Sequence, residues 1–153
     1  MSCKDALVDK APIASPDQTV DAVVKTMRSS GISMVPVVDS ERKLVGIFSY
    51  GILLEDTLPV SLAIGAGGEM GGTSVRIPAA PGMVKRLRQS MMGPVSTLMQ
   101  RPANLVNPDT SLESAIREVR EAGGSVVVVE PQTNKYVGVV SDASLLAALE
   151  KTG

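Results

Sequence analysis

The sequence GIFSYGILLE at residues 46–55 decides the fold, because it is typical of a buried strand that ends in a turn and runs into a helix. The sequence GVVSDASLLAAL at residues 138–149 has the same pattern: a glycine, two β-forming residues, a serine, three variable residues and a pair of leucines. The two stretches lie 92 residues apart. A strand–turn–helix that occurs twice at this distance predicts an internal structural repeat.

The repeat continues upstream at the same offset without a gap. PDQTV at residues 16–20 matches PDTSL at residues 108–112, and Gly31 matches Gly123. In each motif either the aspartate or the hydroxyl residue can cap the first N–H groups of a helix. The candidate caps are Asp17, Thr19, Asp109 and Ser111.

Each unit is predicted to be β-α-β-β-α. Apolar residues follow the cap at helical spacing, as Val20, Val23, Val24 and Met27 in the first unit and as Leu112, Ala115, Ile116 and Val119 in the second. The two glycines at positions 31 and 123 are predicted to end these helices. Two strands joined by a polar turn follow (34–38 and 44–48; 126–129 and 136–140), then a helix with the leucine pair, and a short strand is expected before each unit (12–15 and 103–107). The fold class is α/β (α+β), with two units packed pseudo-symmetrically through their sheets to bury a common core.

Composition argues against nucleic acid and membranes as partners. The chain has one Phe, two Tyr and no Trp, so it offers no aromatic platform for stacked bases. Its formal net charge of -1 gives no overall attraction to nucleic acid or to an anionic membrane. The longest nearly apolar stretch, residues 58–68, is interrupted by Pro59 and Ser61 and is too short to span a bilayer.

The residue inventory predicts a protein that is not an enzyme. The chain contains no His, which excludes His-based catalytic triads and His metal sites, and nothing in the sequence places two carboxylates together. No catalytic residue and no metal site are therefore predicted. Cys3, the single cysteine, is expected near a disordered end and cannot form an intramolecular disulfide. Without a signal peptide, this predicts a cytoplasmic protein.

The central strand–turn–strand GISMVPVVDSERKLVGIFS, residues 31–49, closely resembles that of the CBS domain (the cystathionine-β-synthase-type repeat). The resemblance covers residues 15–54 and 107–149. It implies a stand-alone tandem pair, or Bateman module, that forms a homodimer shaped as a flat disc of four repeats. It also implies that the pair requires no cofactor, binds an adenine nucleotide (AMP, ADP, ATP) or S-adenosylmethionine between its repeats, and regulates an unidentified protein.

The two strand-to-helix turns carry Ser49 and Ser141. A serine hydroxyl and the N–H groups of a helix N-terminus face one small volume, where the helix dipole favours an anion. The simpler interpretation is that both serines are only helix caps. The family pattern at this turn is Ser/Thr-x-x-Asp, in which the Asp holds the ribose hydroxyls. Here Ile52 and Ser144 stand at that position, and Asp142 lies one residue after its serine, where a helical side chain is turned by about 100°.

The resemblance implies two clefts, each with a strand from one repeat and a turn from the other. The first combines Ile32, Ser33, Met34 and Pro36 with Val139, Ser141, Asp142 and Ser144. The second combines Gly124, Ser125 and Val126 with Ile47, Ser49 and Ile52. Because Ile52 would meet the ribose in the second cleft, we expect at most one nucleotide per chain, in the first cleft. The segments near Asp9 and residues 96–101 are expected to border the clefts.

We divide the chain into repeat 1 (residues 1–57), an insert rich in Gly and Met (58–95) and repeat 2 (96–153). The glycines at 65–72 do not form a phosphate loop, because no Gly-Lys-Ser/Thr follows them. Residues 82–92 are predicted to form a short helix with Val84, Leu87 and Met91 on one face. The insert is interpreted either as a flexible loop or as a segment that docks a partner or completes the dimer. The alternative function for the whole chain is a ligand-free dimerisation scaffold.

Overall fold

The structure is a computed structural model that describes residues 1–58 and 82–152 of the 153-residue chain. Its elements follow the predicted β-α-β-β-α order in both repeats, except that the first strand of repeat 1 is reduced to Ala14, which forms a parallel bridge with Val37. The described elements are α1 (Val20–Ser30), β1 (Met34–Val38), β2 (Leu44–Ser49), α2 (Tyr50–Asp56), α3 (Met83–Met92), β3 (Leu105–Val106), α4 (Leu112–Ala122), β4 (Ser125–Val129), β5 (Tyr136–Ser141) and α5 (Asp142–Thr152).

The first long helix of each repeat begins and ends in the same way. The hydroxyl oxygens of Thr19 and Ser111 each accept a hydrogen bond of 3.2 Å from the backbone N–H three residues further on. The hydroxyl residue, and not the aspartate, is therefore the cap in both repeats. Gly31 and Gly123 end α1 and α4 with φ values of 69° and 90°, a left-handed conformation that glycine adopts without strain.

Each repeat packs its first long helix against an antiparallel pair of strands. Strand β1 pairs with β2, and β4 pairs with β5, while β3 lies parallel to β4 on its other edge. The predicted apolar faces of α1 and α4 point into the two cores, with the exception of Ile116, which is 37% exposed. The alternation of buried apolar strands and amphipathic helices thus sets the fold of each unit.

The two repeats meet through their β-turns and sheets in a pseudo-symmetric arrangement. The Leu44 N–H donates to the Asn134 carbonyl at 3.1 Å, and the Tyr136 N–H donates to the Arg42 carbonyl at 2.8 Å. These four residues form two pairs related by the 92-residue offset, so one bond is the symmetry mate of the other. Beside them, a central core joins the repeats; its residues are Leu44, Val127, Val129, Met34, Ile47 and Tyr136.

A short segment before each repeat packs against the opposite repeat. The Cys3 N–H donates to the Thr110 carbonyl at 2.9 Å, and the Val95 N–H donates to the Gln18 carbonyl at 2.8 Å. Both side chains are 0% exposed, Cys3 in the core of repeat 2 and Val95 in the core of repeat 1. We call residues 2–8 and 94–100 the exchanged segments.

The expectation that Cys3 lies near a disordered end is therefore wrong. Cys3 begins a short 3₁₀ helix, Cys3–Asp5, and burial raises the pKa of its thiol. Cys3 is held in place because it packs against apolar surface of repeat 2 that helix α4 does not cover.

The glycines that open the two quoted stretches make room for the exchanged segments. A Cβ atom at Gly46 would lie 3.0 Å from the Cγ atom of Met99, and one at Gly138 would lie 3.0 Å from the Cδ2 atom of Leu7. A larger residue at either position would force the facing Met99 or Leu7 side chain to shift by a few tenths of an ångström. The glycine that opens each half of the sequence pattern is thus explained by contact with the other half of the chain.

The short helix predicted for residues 82–92 is confirmed as α3. Leu87 and Met91 pack against the core of repeat 1, whereas Val84, predicted on the same face, is 56% exposed. Residues 59–81, including the predicted glycine-rich part of the insert, lie outside the described residues. Across residues 1–58 and 82–152, no helix has the length and apolar character needed to cross a membrane.

The left-handed turn residue of repeat 1 provides a test of the inter-repeat contact. Arg42 and Asn134 have φ values of 65° and 61°, and asparagine tolerates this region better than arginine. The Asn134 side chain also donates to the Leu44 carbonyl at 2.8 Å. We expect Arg42→Asn to raise the free energy of unfolding by about 1 kcal/mol in urea titration.

The matched reversal, Asn134→Arg, should lower that free energy by about 1–2 kcal/mol, because it adds strain and removes a hydrogen bond. A destabilised Arg42→Asn protein would show that the arginine side chain matters more to the turn than its backbone conformation.

The burial of Cys3 gives a second test. Because thiolate is the reactive form, the native Cys3 thiol should not react with a thiol-specific dye, whereas unfolding in urea should expose one thiol per chain. Ser96→Cys, which adds a thiol at an exposed position of the other exchanged segment, should give one reactive thiol before unfolding and two after. Rapid native reaction of the unsubstituted chain would place residues 2–8 away from repeat 2.

Candidate ligand clefts

A cleft of about 340 Å³ lies between β1 of repeat 1 and the strand-to-helix turn of repeat 2. We call it the Asp142 cleft. It brings together seven of the eight residues that the sequence predicted for the first cleft: Ile32, Ser33, Met34, Pro36, Val139, Ser141 and Asp142. Its remaining lining residues are Val8, Ala11, Pro12, Gly31, Gly123, Gly124 and Ser125.

The eighth predicted residue, Ser144, does not line the Asp142 cleft. Its hydroxyl accepts a hydrogen bond from the Ser141 N–H at 2.8 Å and donates to the Ser141 carbonyl at 3.1 Å. In return, the Ser141 hydroxyl oxygen accepts from the Ser144 N–H at 3.1 Å. These reciprocal bonds cap α5 and fold the Ser144 side chain back onto the turn, which corrects its predicted place beside the ribose.

Asp142 lines the cleft although it directly follows Ser141. The family pattern instead has its aspartate three residues after the serine. Asp142 is the first residue of α5, and its N–H donates to the Gly124 carbonyl at 3.0 Å across the cleft wall. Its Oδ1 atom accepts a hydrogen bond of 2.7 Å from the Ala143 N–H. The expected rotation away from the cleft does not occur, because the turn is anchored to Gly124 before the helix begins.

A second cleft, of about 420 Å³, is built from the other two halves of the repeats. We call it the Tyr50 cleft. Four of the six residues predicted for it line its walls: Ile47, Ser49, Ser125 and Val126. Gly124 lines the Asp142 cleft instead, and Ile52 lines neither cleft. Tyr50 and Gly51 lie at the positions that Asp142 and Ala143 occupy in repeat 2. Ser33 and Ser125 border both clefts, so the two clefts lie back to back at the centre of the molecule.

Ile52 does not line the Tyr50 cleft, which corrects the expectation that its side chain would meet a ribose there. The Ile52 N–H donates to the Ser49 hydroxyl oxygen at 3.2 Å, and its side chain packs against the core of repeat 1. Ile52 is on the face of α2 that looks toward residues 97–100, away from the Tyr50 cleft. What distinguishes the two turns is the residue after the serine, a phenol in one and a carboxylate in the other.

The polar groups of both clefts are neutral or acidic. Glu121 lines the Tyr50 cleft, where the Asn104 side-chain amide donates to its Oε2 atom at 3.2 Å and to Glu118 at 2.7 Å. No Lys or Arg among the described residues lines either cleft. In the same part of the chain, no three His, Cys, Asp or Glu side chains lie close enough to hold a metal ion.

The connections that follow the exchanged segments also form walls of the clefts. The individual lining residues in these connections are not predicted from the sequence. Ala11 and Pro12 line the Asp142 cleft, and their equivalents Ala103 and Asn104 line the Tyr50 cleft. The sequence predicts only that the segments near Asp9 and residues 96–101 border the clefts. Extending the 92-residue offset upstream would have paired these positions, because the segments before them share apolar residues at the same sites.

The sequence model of the CBS domain matches residues 3–56 and 95–151, which is more than half of the chain. The chain belongs to the CBS domain family. The two matched segments make it a tandem CBS pair, as the resemblance implied. An uncharacterized protein of Methanocaldococcus jannaschii is 38% identical to it over 52 residues, which are 34% of this chain and 31% of that protein. The match therefore spans about a third of the length of this curated relative.

Solved CBS structures share the whole fold. A CBS domain-containing protein of unknown function from Bacillus anthracis str. Ames Ancestor superposes with a TM-score of 0.71 at 18% identity, over 100% of this chain and 95% of that one. The CBS-pair protein CBSX2 of Arabidopsis thaliana gives 0.72 at 19% identity, over 99% and 96%. CBSX2 in complex with AMP gives 0.67 at 19% identity, over 98% and 97%. At these identities the likeness shows the fold alone.

The caps at the two turns predict a ligand-independent contribution to stability. Replacement of a capping serine by alanine usually costs about 1 kcal/mol. We therefore expect Ser141→Ala and Ser49→Ala each to lower the free energy of unfolding in urea by about that amount without any ligand. An unchanged stability in Ser141→Ala would mean that the reciprocal bonds with Ser144 do not form in solution.

Proposed function

We propose that this CBS pair is a regulatory module that binds an adenosyl ligand in the Asp142 cleft and thereby modulates an unidentified partner protein. The observation that carries the proposal is the convergence of an apolar slot, two hydroxyl residues and a carboxylate in one cleft. The apolar part comes from Ile32, Met34 and Val139, and the polar part from Ser33, Ser141 and Asp142. A largely apolar cleft with a few convergent polar groups is typical of small-molecule sites.

The polar groups suit a ribose better than they suit a catalytic reaction. The Oδ2 atom of Asp142 accepts no hydrogen bond from the described residues and is available to a ribose hydroxyl. The apolar residues on the opposite wall offer a surface for a purine base. The chain has no His to act as a general base, and we propose that it regulates another protein without catalysing a reaction itself. The AMP complex of the structurally similar CBSX2 supports an adenosyl ligand.

Thermal denaturation with a panel of ligands tests this function. The panel contains AMP, ADP, ATP, S-adenosylmethionine and NAD, each with and without magnesium. A ligand present at about 100 times its Kd stabilises the folded chain by about 2.7 kcal/mol, which is a measurable rise in Tm. Each variant is compared with its own ligand-free Tm, because the serine caps contribute to stability without ligand.

We expect Asp142→Ala to abolish the ligand-induced rise in Tm and Ser49→Ala to preserve it, since Ser49 lies in the other cleft. If no ligand raises the Tm, the adenosyl-binding function is refuted and the pair acts as a ligand-free dimerisation scaffold.

We also propose that the pair forms a homodimer through α2 and α5. Leu54 on α2 and Leu146 on α5 occupy equivalent positions, and they are 65% and 59% exposed. Leu149, also on α5, is 45% exposed. Paired exposed leucines related by a pseudo-two-fold axis suit a self-complementary interface.

Sedimentation velocity tests the dimer. The unsubstituted chain should sediment as a dimer, and Leu54→Glu with Leu146→Glu should convert it to a monomer by placing charges in an apolar interface. Val84→Glu is the matched control, because Val84 on α3 is 56% exposed and should leave the dimer intact. A monomeric unsubstituted chain would rule out this interface.

A further inference from the structure

We propose that the Asp142 cleft selects adenosyl ligands that carry no phosphate, and that their 5′ substituent is neutral or positively charged. Adenosine, a 5′-thioether of adenosine and the sulfonium S-adenosylmethionine belong to this class, whereas AMP, ADP and ATP do not. The inference rests on the proposed function and narrows its ligand class. Two features of the cleft support it: the charge of its lining and the hydrogen bonds already made by the N–H groups at its helix N-terminus.

The first feature is the charge of the lining. Asp142 is the only ionisable residue among the described residues that line the cleft, and the other polar side chains are the hydroxyls of Ser33, Ser125 and Ser141. A phosphate placed in this cleft would face a carboxylate without any Lys or Arg to balance its charge. Asp142 is exposed, so solvent weakens the repulsion between the two groups but does not remove it at a separation of a few ångströms.

The second feature is that the backbone N–H groups of the first three residues of α5 already donate hydrogen bonds within the protein, so they are not available to an anion. The Asp142 N–H donates to the Gly124 carbonyl at 3.0 Å and the Ala143 N–H donates to the Asp142 Oδ1 atom at 2.7 Å. The Ser144 N–H donates to the Ser141 hydroxyl oxygen at 3.1 Å. The helix N-terminus that would otherwise attract a phosphate is already satisfied by the carboxylate and hydroxyl of its own turn.

The same arrangement favours a cation. The Oδ2 atom of Asp142 accepts no hydrogen bond from the described residues, so no donor within that part of the chain offsets its charge. A sulfonium or ammonium group entering the cleft would gain attraction from this carboxylate, and the neutral hydroxyls would not oppose it. A neutral 5′ group would avoid the repulsion that a phosphate meets.

Isothermal titration of the full chain tests the selectivity with adenosine, S-adenosylmethionine, AMP and ATP at low and high salt. We expect adenosine and S-adenosylmethionine to bind on the order of tenfold more tightly than AMP, and ATP to bind more weakly still. Added salt should weaken S-adenosylmethionine binding and strengthen AMP binding, because it screens attraction and repulsion alike.

The variant Asp142→Asn separates the effect of charge from that of a hydrogen bond, because asparagine keeps an oxygen for the Ala143 N–H. AMP should gain affinity on the order of tenfold relative to adenosine, and S-adenosylmethionine should lose affinity relative to adenosine. The matched control Glu150→Gln removes one carboxylate from the far end of the same helix and should leave all affinities unchanged.

The outcomes distinguish this inference from the proposed function. Tighter binding of AMP or ATP than of adenosine would overturn the selectivity and leave an adenosyl-binding module. An equal change for all ligands in Asp142→Asn would show that the carboxylate only holds the ribose, and would also overturn the selectivity. Absence of binding by every ligand would overturn both the proposed function and the inference built on it.

Discussion

The burial of Cys3 in repeat 2 and of Val95 in repeat 1 is the constraint on which the rest of the structure depends. Neither repeat covers its sheet and first helix with its own residues, so each core is closed by the segment that precedes the other repeat. Each segment approaches a strand most closely at a glycine, Gly46 or Gly138, where a side chain would crowd it. The exchange also places the connections that follow the two segments along the cleft walls. The same contacts therefore complete the cores and shape the clefts.

The duplicated backbone carries side chains that have diverged at the two turns. Repeat 2 places a carboxylate directly after its capping serine, and repeat 1 places Tyr50 there. The Asp142 cleft therefore has a charge at its turn. Among the described residues, the only acid that lines the Tyr50 cleft is Glu121, which comes from the opposite repeat and accepts a hydrogen bond from Asn104. Two clefts with nearly the same backbone thus present different chemistry to a ligand.

The local features of the fold could be predicted from the sequence because they depend on short-range patterns. The repeat offset, the glycine stops and most of the residues that gather in each cleft follow from spacing and from the family resemblance. The sequence also places a cap at the start of each first helix, but it does not choose between the aspartate and the hydroxyl residue. The positions of the Ser144 and Ile52 side chains could not be predicted in this way, because both depend on how the first turn of a helix is hydrogen-bonded. The orientation of a side chain within one helical turn is a three-dimensional property that residue spacing alone does not set.

The exchanged segments were harder to predict because they are short and gain their apolar contacts only from distant parts of the chain. Residues 2–8 contain three apolar positions that match those of residues 94–100, but no periodicity long enough to define a helix or strand. Cys3 was consequently assigned to a disordered end. Chain position alone is a poor guide to order; the burial and hydrogen bonds of the backbone decide it.

The exchange also sets the order in which the chain can reach its native state during synthesis. When repeat 1 has emerged from the ribosome, Val95 has not yet emerged to complete the core of repeat 1. Residues 2–8 also lack their partner, because repeat 2 has not yet been made. The core of repeat 1 is closed once residues 94–100 have emerged, whereas residues 2–8 find their surface only after repeat 2 is complete. The contacts of residues 2–8, which are the most distant in the sequence, therefore form last. Residues 2–8 are therefore the last segment of the pair to be buried, and the two repeats become one cooperative unit when this segment packs against repeat 2.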